Sequence, residues 1–171
     1  IDIRNCNIIL ASTGVVFVDV EDSVIHNNSF ESNNYGLTLS SCSYNDIWNN
    51  TLSNNLAMGI NIIDGGIYNK IYSNIFPYNH REVIRIREAS YNSIYDNHIY
   101  GTFLWSFLNG AITIENSSHN ILKNNLIDEN RIEGVYISNS NDNELIDNRI
   151  IDNIGKGIYL ELNSDKNELI N

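Results

Sequence analysis

Proline occurs once in this chain, at Pro77, methionine once, at Met58, and cysteine only twice, at Cys6 and Cys42. Two cysteines at unrelated places exclude a disulfide-built scaffold. No apolar stretch is long enough to span a bilayer, so no membrane span is expected. Cationic side chains are scarce: 10 Lys and Arg stand against 21 Asp and Glu, a formal net charge of -11. That balance argues against nucleic acid and anionic membrane surfaces as partners. The histidines, His26, His80, His98 and His119, show no ligand spacing, so neither a metal nor a cofactor is expected.

Asparagine and isoleucine are abundant instead, at 31 and 28 of the 171 residues. Asparagine-rich chains are often disordered, but 42% hydrophobic content is enough for a core. Here the asparagines keep step with the apolar residues. "YNDIWNNTLSNN" (Tyr44 to Asn55) pairs Asn with an apolar residue two positions on, then repeats the pair five residues later. Aligned down the chain, the first Asn column reads Ser23, Asn45, Asn69, Asn92, Asn120, Asn143, Asn167. Its apolar partners are Ile25, Ile47, Ile71, Ile94, Leu122, Leu145 and Leu169. The second column reads Cys6, Asn28, Asn50, Asn74, Asn97, Asn125, Asn148, partnered by Ile8, Phe30, Leu52, Phe76, Ile99, Ile127 and Ile150. A third segment opens at Gly14, Gly36, Gly59, Val83, Ala111, Gly134 and Gly157.

Successive units lie 22, 22, 24, 23, 28 and 23 residues apart in the second column. Three short period-2 segments per unit, punctuated by Gly and Asn, fit a coil of parallel strands stacked about 4.8 Å apart. The expectation is one all-β domain over 1–171, a single-stranded parallel β-helix of about seven rungs, roughly 35 Å long by that spacing. Each rung takes about 22–24 residues, with one longer rung. Asn shares the inward parity of its partner, so its amide is expected at the inner edge of each turn, bonding turn backbone and the next rung's Asn. A leucine-rich-repeat horseshoe lacks its leucine spacing and helical segment here. The chain opens and closes in mid-repeat, which suggests a piece of a longer protein with open ends, covered by neighbouring domains or by self-association.

The pattern "NxIxxNxIxxNxxGIxLxxSxxN" resembles the β-helix repeat of pectate-lyase-like proteins, closest to NosD-type and CASH-type (carbohydrate-binding and sugar-hydrolase) modules. The resemblance implies a right-handed coil and an extracellular, cell-surface or periplasmic setting. Its catalytic signatures are missing. No Asp stands among the outward residues of the Gly-led strand, where pectate-lyase-like calcium sites cluster them. "RIRE" at Arg85 to Glu88 is all that suggests the Arg-Ile-Lys of polygalacturonases. The Asp-Pro-His motif of alginate epimerases is absent, because Pro77 is followed by Tyr78.

Function is therefore sought on outward positions. Tyr44, Tyr68, Tyr91 and His119 precede the first Asn column, and His26, Trp48, Tyr72 and Tyr95 follow it by three residues. By parity both rows point outward, suiting sugar stacking, a protein interface, or stacking upon themselves. "HREVIRIRE" (His80 to Glu88) places Arg85 and Arg87 outward beside Glu115, with Tyr136 and Tyr159 continuing the Arg85 column. The resemblance makes that strand a substrate groove, with Arg85 and Arg87 able to hold a uronic acid. Arg85, Arg87 and Glu115 are also the only candidates for catalysis. The long rung, "YGTFLWSFLNG", would flank the same face with Trp105. Sequons at Asn27, Asn49 and Asn116 are explained by chance in so Asn-rich a chain. The expectation is a module that recognises a polysaccharide or other glycan and is non-catalytic or weakly catalytic. Its rivals are a structural or assembly module and a polysaccharide lyase or hydrolase.

Overall fold

The computed structural model describes residues 1–103 and 110–171. Its 22 strands form three parallel sheets, one of eight strands and two of seven, with every third strand hydrogen-bonded to its counterpart one turn on. The chain is a right-handed parallel β-helix of about seven turns, without helices among the described residues. None is therefore long and apolar enough to cross a membrane. The first and second sheets use three-residue strands such as Asp46–Trp48 and Thr51–Ser53, and the third uses longer ones such as Tyr35–Ser40.

The apolar columns pair as their spacing predicts. Ile47 lies beside Ile71, Ile71 beside Ile94, and Ile94 beside Leu122 in the first sheet. Phe30 pairs with Leu52 and Phe76 with Ile99 in the second. All of these are buried and share one core with Leu37, Ile60, Ile84, Ile112 and Val135 of the third sheet. A run of side chains at period 2 can face this core only if every rung keeps its register, so the burial pattern locks the stacking.

The corners are built from two adjacent residues with different tasks. The first adopts a left-handed backbone, as at Tyr44 (φ 57), Asn49 (φ 51) and Asn54 (φ 53), and turns the chain onto the next sheet. The second is the ladder asparagine. Asn50 Oδ1 accepts the Asn28 backbone N–H at 3.0 Å, while its Nδ2 donates to the Ile25 carbonyl at 2.9 Å and to Asn74 Oδ1 at 3.0 Å. The first column does the same at Asn45, Asn69, Asn92, Asn120 and Asn143. A third column runs through Asn33, Asn55 and Asn79, and resumes at Asn130 and Asn153 after Thr102. Serine takes the fourth corner, where Ala89 N–H donates to Ser117 Oγ and Ser117 N–H to Ser140 Oγ. Asn is the residue for this place because one amide both accepts and donates along the axis.

Glycine at the head of the third strand answers to close approach. A Cβ on Gly36 would lie 2.5 Å from the Gly59 carbonyl oxygen, and one on Gly134 would lie 2.5 Å from Ile150 Cγ2. The extra residues of the long rung fall between Thr102 and Gly110, where the register resumes with Gly110 beside Glu133.

Candidate functional site

The outer face of the first sheet carries three parallel columns. Tyr44, Tyr68, Tyr91 and His119 stand at the left-handed corner, and their rings stack in succession at 5.2, 5.4 and 4.8 Å between centroids. His26, Trp48, Tyr72 and Tyr95 form the second aromatic row, at 4.5, 6.3 and 4.9 Å. Asp46, Lys70 and Ser93 run between them, held in line by the strand register. The rings therefore turn their faces to one another along the rod and their edges outward. Stacking of a sugar on a ring face, one of the uses expected from the sequence, is open only at the row ends. The flanks instead offer C–H edges and phenol hydroxyls. Burial, and then the Asp46 carboxylate, push the Tyr72 phenol above its usual value, so it remains a donor at neutral pH.

Two depressions cross these columns. One, of about 470 Å³, is walled by Tyr44, Tyr68 and Tyr91 over Asp46, Lys70 and Ser93. The other, of about 360 Å³, lies on the far side of Lys70 and Ser93, against Tyr95, Ile121 and Lys123. They share Lys70 and Ser93, so together they make one shallow trough running diagonally across the sheet. Of the aromatics predicted to form a site, Tyr44, Tyr68, Tyr91 and Tyr95 line it. Trp48 and Tyr72 stand in the second row but outside the trough. Tyr44, Tyr68 and Tyr91 are 54%, 43% and 45% exposed, although a tyrosine in a left-handed backbone is costlier than Asn or Asp there.

Arg85 and Arg87 lie on the third sheet, on another face. Arg85 grips Glu115 with its terminal nitrogen at 2.8 Å and Nε at 3.2 Å, both on the same carboxylate oxygen. By register the lateral partner of Glu115 is Arg87, so the Arg85 pair is diagonal. Arg87 instead reaches Glu88 at 3.5 Å. Tyr136 points outward by parity but is only 4% exposed, and its hydroxyl donates to Glu161 at 2.8 Å. Parity sets its direction and not its access, so little of the ring meets solvent. Trp105 lies outside the described residues.

Sequence reasoning missed Glu82. It sits inside "HREVIRIRE" yet is only 4% exposed. Burial raises its carboxyl from 4.5 to about 7, against the lowering effect of Arg85 and Arg81 and with the help of Glu115. An acid raised in the fold favours folding while protonated. Its contribution is full below about pH 4.5 and is lost as pH rises through 7. The loss is on the order of 3 kcal/mol at high pH. Denaturant titrations at low and high pH should show wild type losing stability that Glu82→Gln retains; equal pH slopes would contradict this.

Two families match the sequence. That of the right handed beta helix region covers residues 49–171, and that of NosD, a periplasmic copper-binding protein, covers residues 2–84. No curated protein matches. A double mutant of the periplasmic alginate epimerase AlgG superposes with a TM-score of 0.74 at 16% identity, over 98% of this chain and 45% of that one. The A-module of the mannuronan C-5 epimerase AlgE4 from Azotobacter vinelandii gives 0.60 at 15% identity, over 99% of this chain and 52% of the other. The chain thus spans about half the length of these structures, and the likeness is one of fold.

Proposed function

The chain belongs to the right-handed parallel β-helix family, and we propose that it recognises carbohydrate without cleaving it, in the periplasm or outside the cell. The trough on the first sheet carries this reading. Exposed tyrosine edges and hydroxyls over an Asp–Lys–Ser floor offer both the apolar contact and the hydrogen bonds that a sugar presents. Alginate epimerases among the structural neighbours, and the periplasmic names of AlgG and NosD, support the substrate class and the setting. The donors that the copper in the name of NosD would call for do not come together among the described residues. Cys42 and Met58 are buried, His26 is stacked on Trp48 and paired with Asp2, and no three ligand side chains converge among the described residues.

Native affinity electrophoresis through a panel of acidic and neutral polysaccharides tests the reading. Retardation by at least one polymer is expected. Tyr68→Asn, which suits the left-handed corner, should weaken it about tenfold. Trp48→Ala, outside the trough, should leave it in place. Unaltered mobility across the panel would sink the proposal, and a change of oligomeric state in Tyr68→Asn would mark the face as a protein interface instead.

A second reading, a sugar-processing enzyme, is favoured by one observation on the third sheet. Glu82 titrates near 7 beside the Arg85–Glu115 pair, which suits proton transfer at neutral pH. Asn61, the register neighbour of Arg85, also buries a side-chain oxygen with no hydrogen-bond partner among the described residues. Unsaturated or reducing products from a uronic-acid polymer, lost in Arg85→Ala, would establish it.

A further inference from the structure

The trough has a charge pattern that its aromatic walls do not explain. The chain holds only four lysines, Lys70, Lys123, Lys156 and Lys166, within a net charge of -11. Two of them, Lys70 and Lys123, line the same depression. Register puts Lys70 beside Ser93 on one side and Lys123 beside Tyr95 on the other, so the two cations flank a single rung diagonally. Their strands are two rungs apart, about 10 Å along the axis, a span that two long flexible stems can close over one group. Neither ammonium is firmly engaged. Lys70 is 3.9 Å from Asp46 with both side chains well exposed, and Lys123 makes no ion pair among the described residues. The other two lysines differ. Lys156 lies 3.6 Å from Glu133 and 3.7 Å from the centre of the Tyr159 ring. Lys166 lines a small depression with Asp142, Glu144 and Glu168.

We propose that the trough on the first sheet recognises a single anionic group on an otherwise sparsely charged glycan, held between Lys70 and Lys123 over the Ser93 hydroxyl. This rests on the glycan reading above and adds the charge of the ligand. The anion is a carboxylate or a sulfate ester, since both present oxygens that an ammonium and a hydroxyl can share. One such group is accommodated and a dense row is not. Asp22 and Asp46 lie in the trough on one side of Lys70, and Asp96 lies beside Tyr95, so neighbouring negative charges on a polyanion would meet carboxylates within a Debye length. Tyr68 and Tyr91, both on the corner side of Lys70 and Ser93, would border the uncharged sugar next to the charged one.

The test compares four polymers by affinity electrophoresis with the intact chain: hyaluronan, its carboxyl-reduced form, keratan sulfate, and polygalacturonate. The proposal expects hyaluronan or keratan sulfate to bind about tenfold tighter than carboxyl-reduced hyaluronan. Which of the two is retained distinguishes carboxylate from sulfate. Polygalacturonate should bind more weakly than the favoured polymer. The advantage should fall to within about twofold in Lys123→Gln and Lys70→Gln, and persist in Arg85→Gln. Equal binding of charged and reduced hyaluronan, with keratan sulfate no better, would overturn the charge assignment and leave glycan recognition standing. Loss of the advantage in Arg85→Gln alone would move the anion site to the third sheet and overturn the proposal. Tightest binding by polygalacturonate would overturn the single-anion rule. No binding of any polymer would remove the glycan reading and this inference with it.

Discussion

Asn74→Ala is expected to destabilise the coil by about 3–5 kcal/mol, as much as a large core truncation. Asn74 is 1% exposed and its amide makes five hydrogen bonds. Its Oδ1 accepts the Asn50 backbone N–H at 2.9 Å and the Asn50 amide at 3.0 Å. Its Nδ2 donates to the Ile47 and Tyr72 carbonyls at 2.9 Å each and to Asn97 Oδ1 at 3.1 Å. Alanine would strand the Asn50 N–H in the interior, at about 1–3 kcal/mol, and forfeit the amide's other bonds, each worth about 0.5–1.5 kcal/mol. The defect also lies mid-coil, where a solenoid passes stability from rung to rung. Urea denaturation followed by far-ultraviolet circular dichroism measures it. Asn148→Ala, in the same column but half-exposed, should cost markedly less. Asn27→Gly, at an exposed left-handed corner (φ 56), should stay within about 0.5 kcal/mol. A cost for Asn74→Ala no larger than that of Asn27→Gly would mean the ladder is decorative.

Phe76→Ala should cost a comparable 3–5 kcal/mol for a different reason. The ring is wholly buried and fills the interior opposite Gly59, where an added Cβ would stand 3.0 Å from Phe76 Cδ1. Removing it leaves a cavity that the strands cannot close, because each is tied to its neighbours on both sides through parallel ladders. Phe76→Leu, which keeps most of the volume, should lose less than half as much. The same urea titration checks both, and equal losses for Leu and Ala would indicate a site that collapses freely. Asn74 and Phe76 stand two residues apart, one holding a corner and the other the core. If both predictions hold, the rod is stabilised about equally by satisfied amides and by buried rings.

The aromatic face draws on that rigidity. Tyr44, Tyr68 and Tyr91 keep their places because each occupies a corner fixed by the Asn that follows it, namely Asn45, Asn69 and Asn92. A trough built on four short strands in locked register would present its side chains with little conformational freedom to lose on binding.

Periodicity alone determined the fold. Asn and an apolar partner two residues apart, recurring about every 23 residues, leave a parallel coil as the arrangement that buries the apolar row and satisfies the amides together. The column pairings of Ile47 with Ile71 and of Phe76 with Ile99 could be written down from spacing, because side-chain direction in a strand follows parity. The aromatic rows were legible in the same way. Their ring orientation was not, since a ring turns according to the neighbour one rung away, not its own sequence context. Access was also beyond reach. Tyr136 and Tyr68 are both outward by parity, yet one is 4% exposed and the other 43%. Glu82 went unnoticed for the same reason: a glutamate in a charged run reads as solvated until the fold buries it and lifts its carboxyl. The depression that Lys70 and Lys123 both line joins residues 53 positions apart through two register steps and a change of column. Direction is a property of the strand; exposure, ring stacking and the convergence of charge arise only when rungs lie side by side.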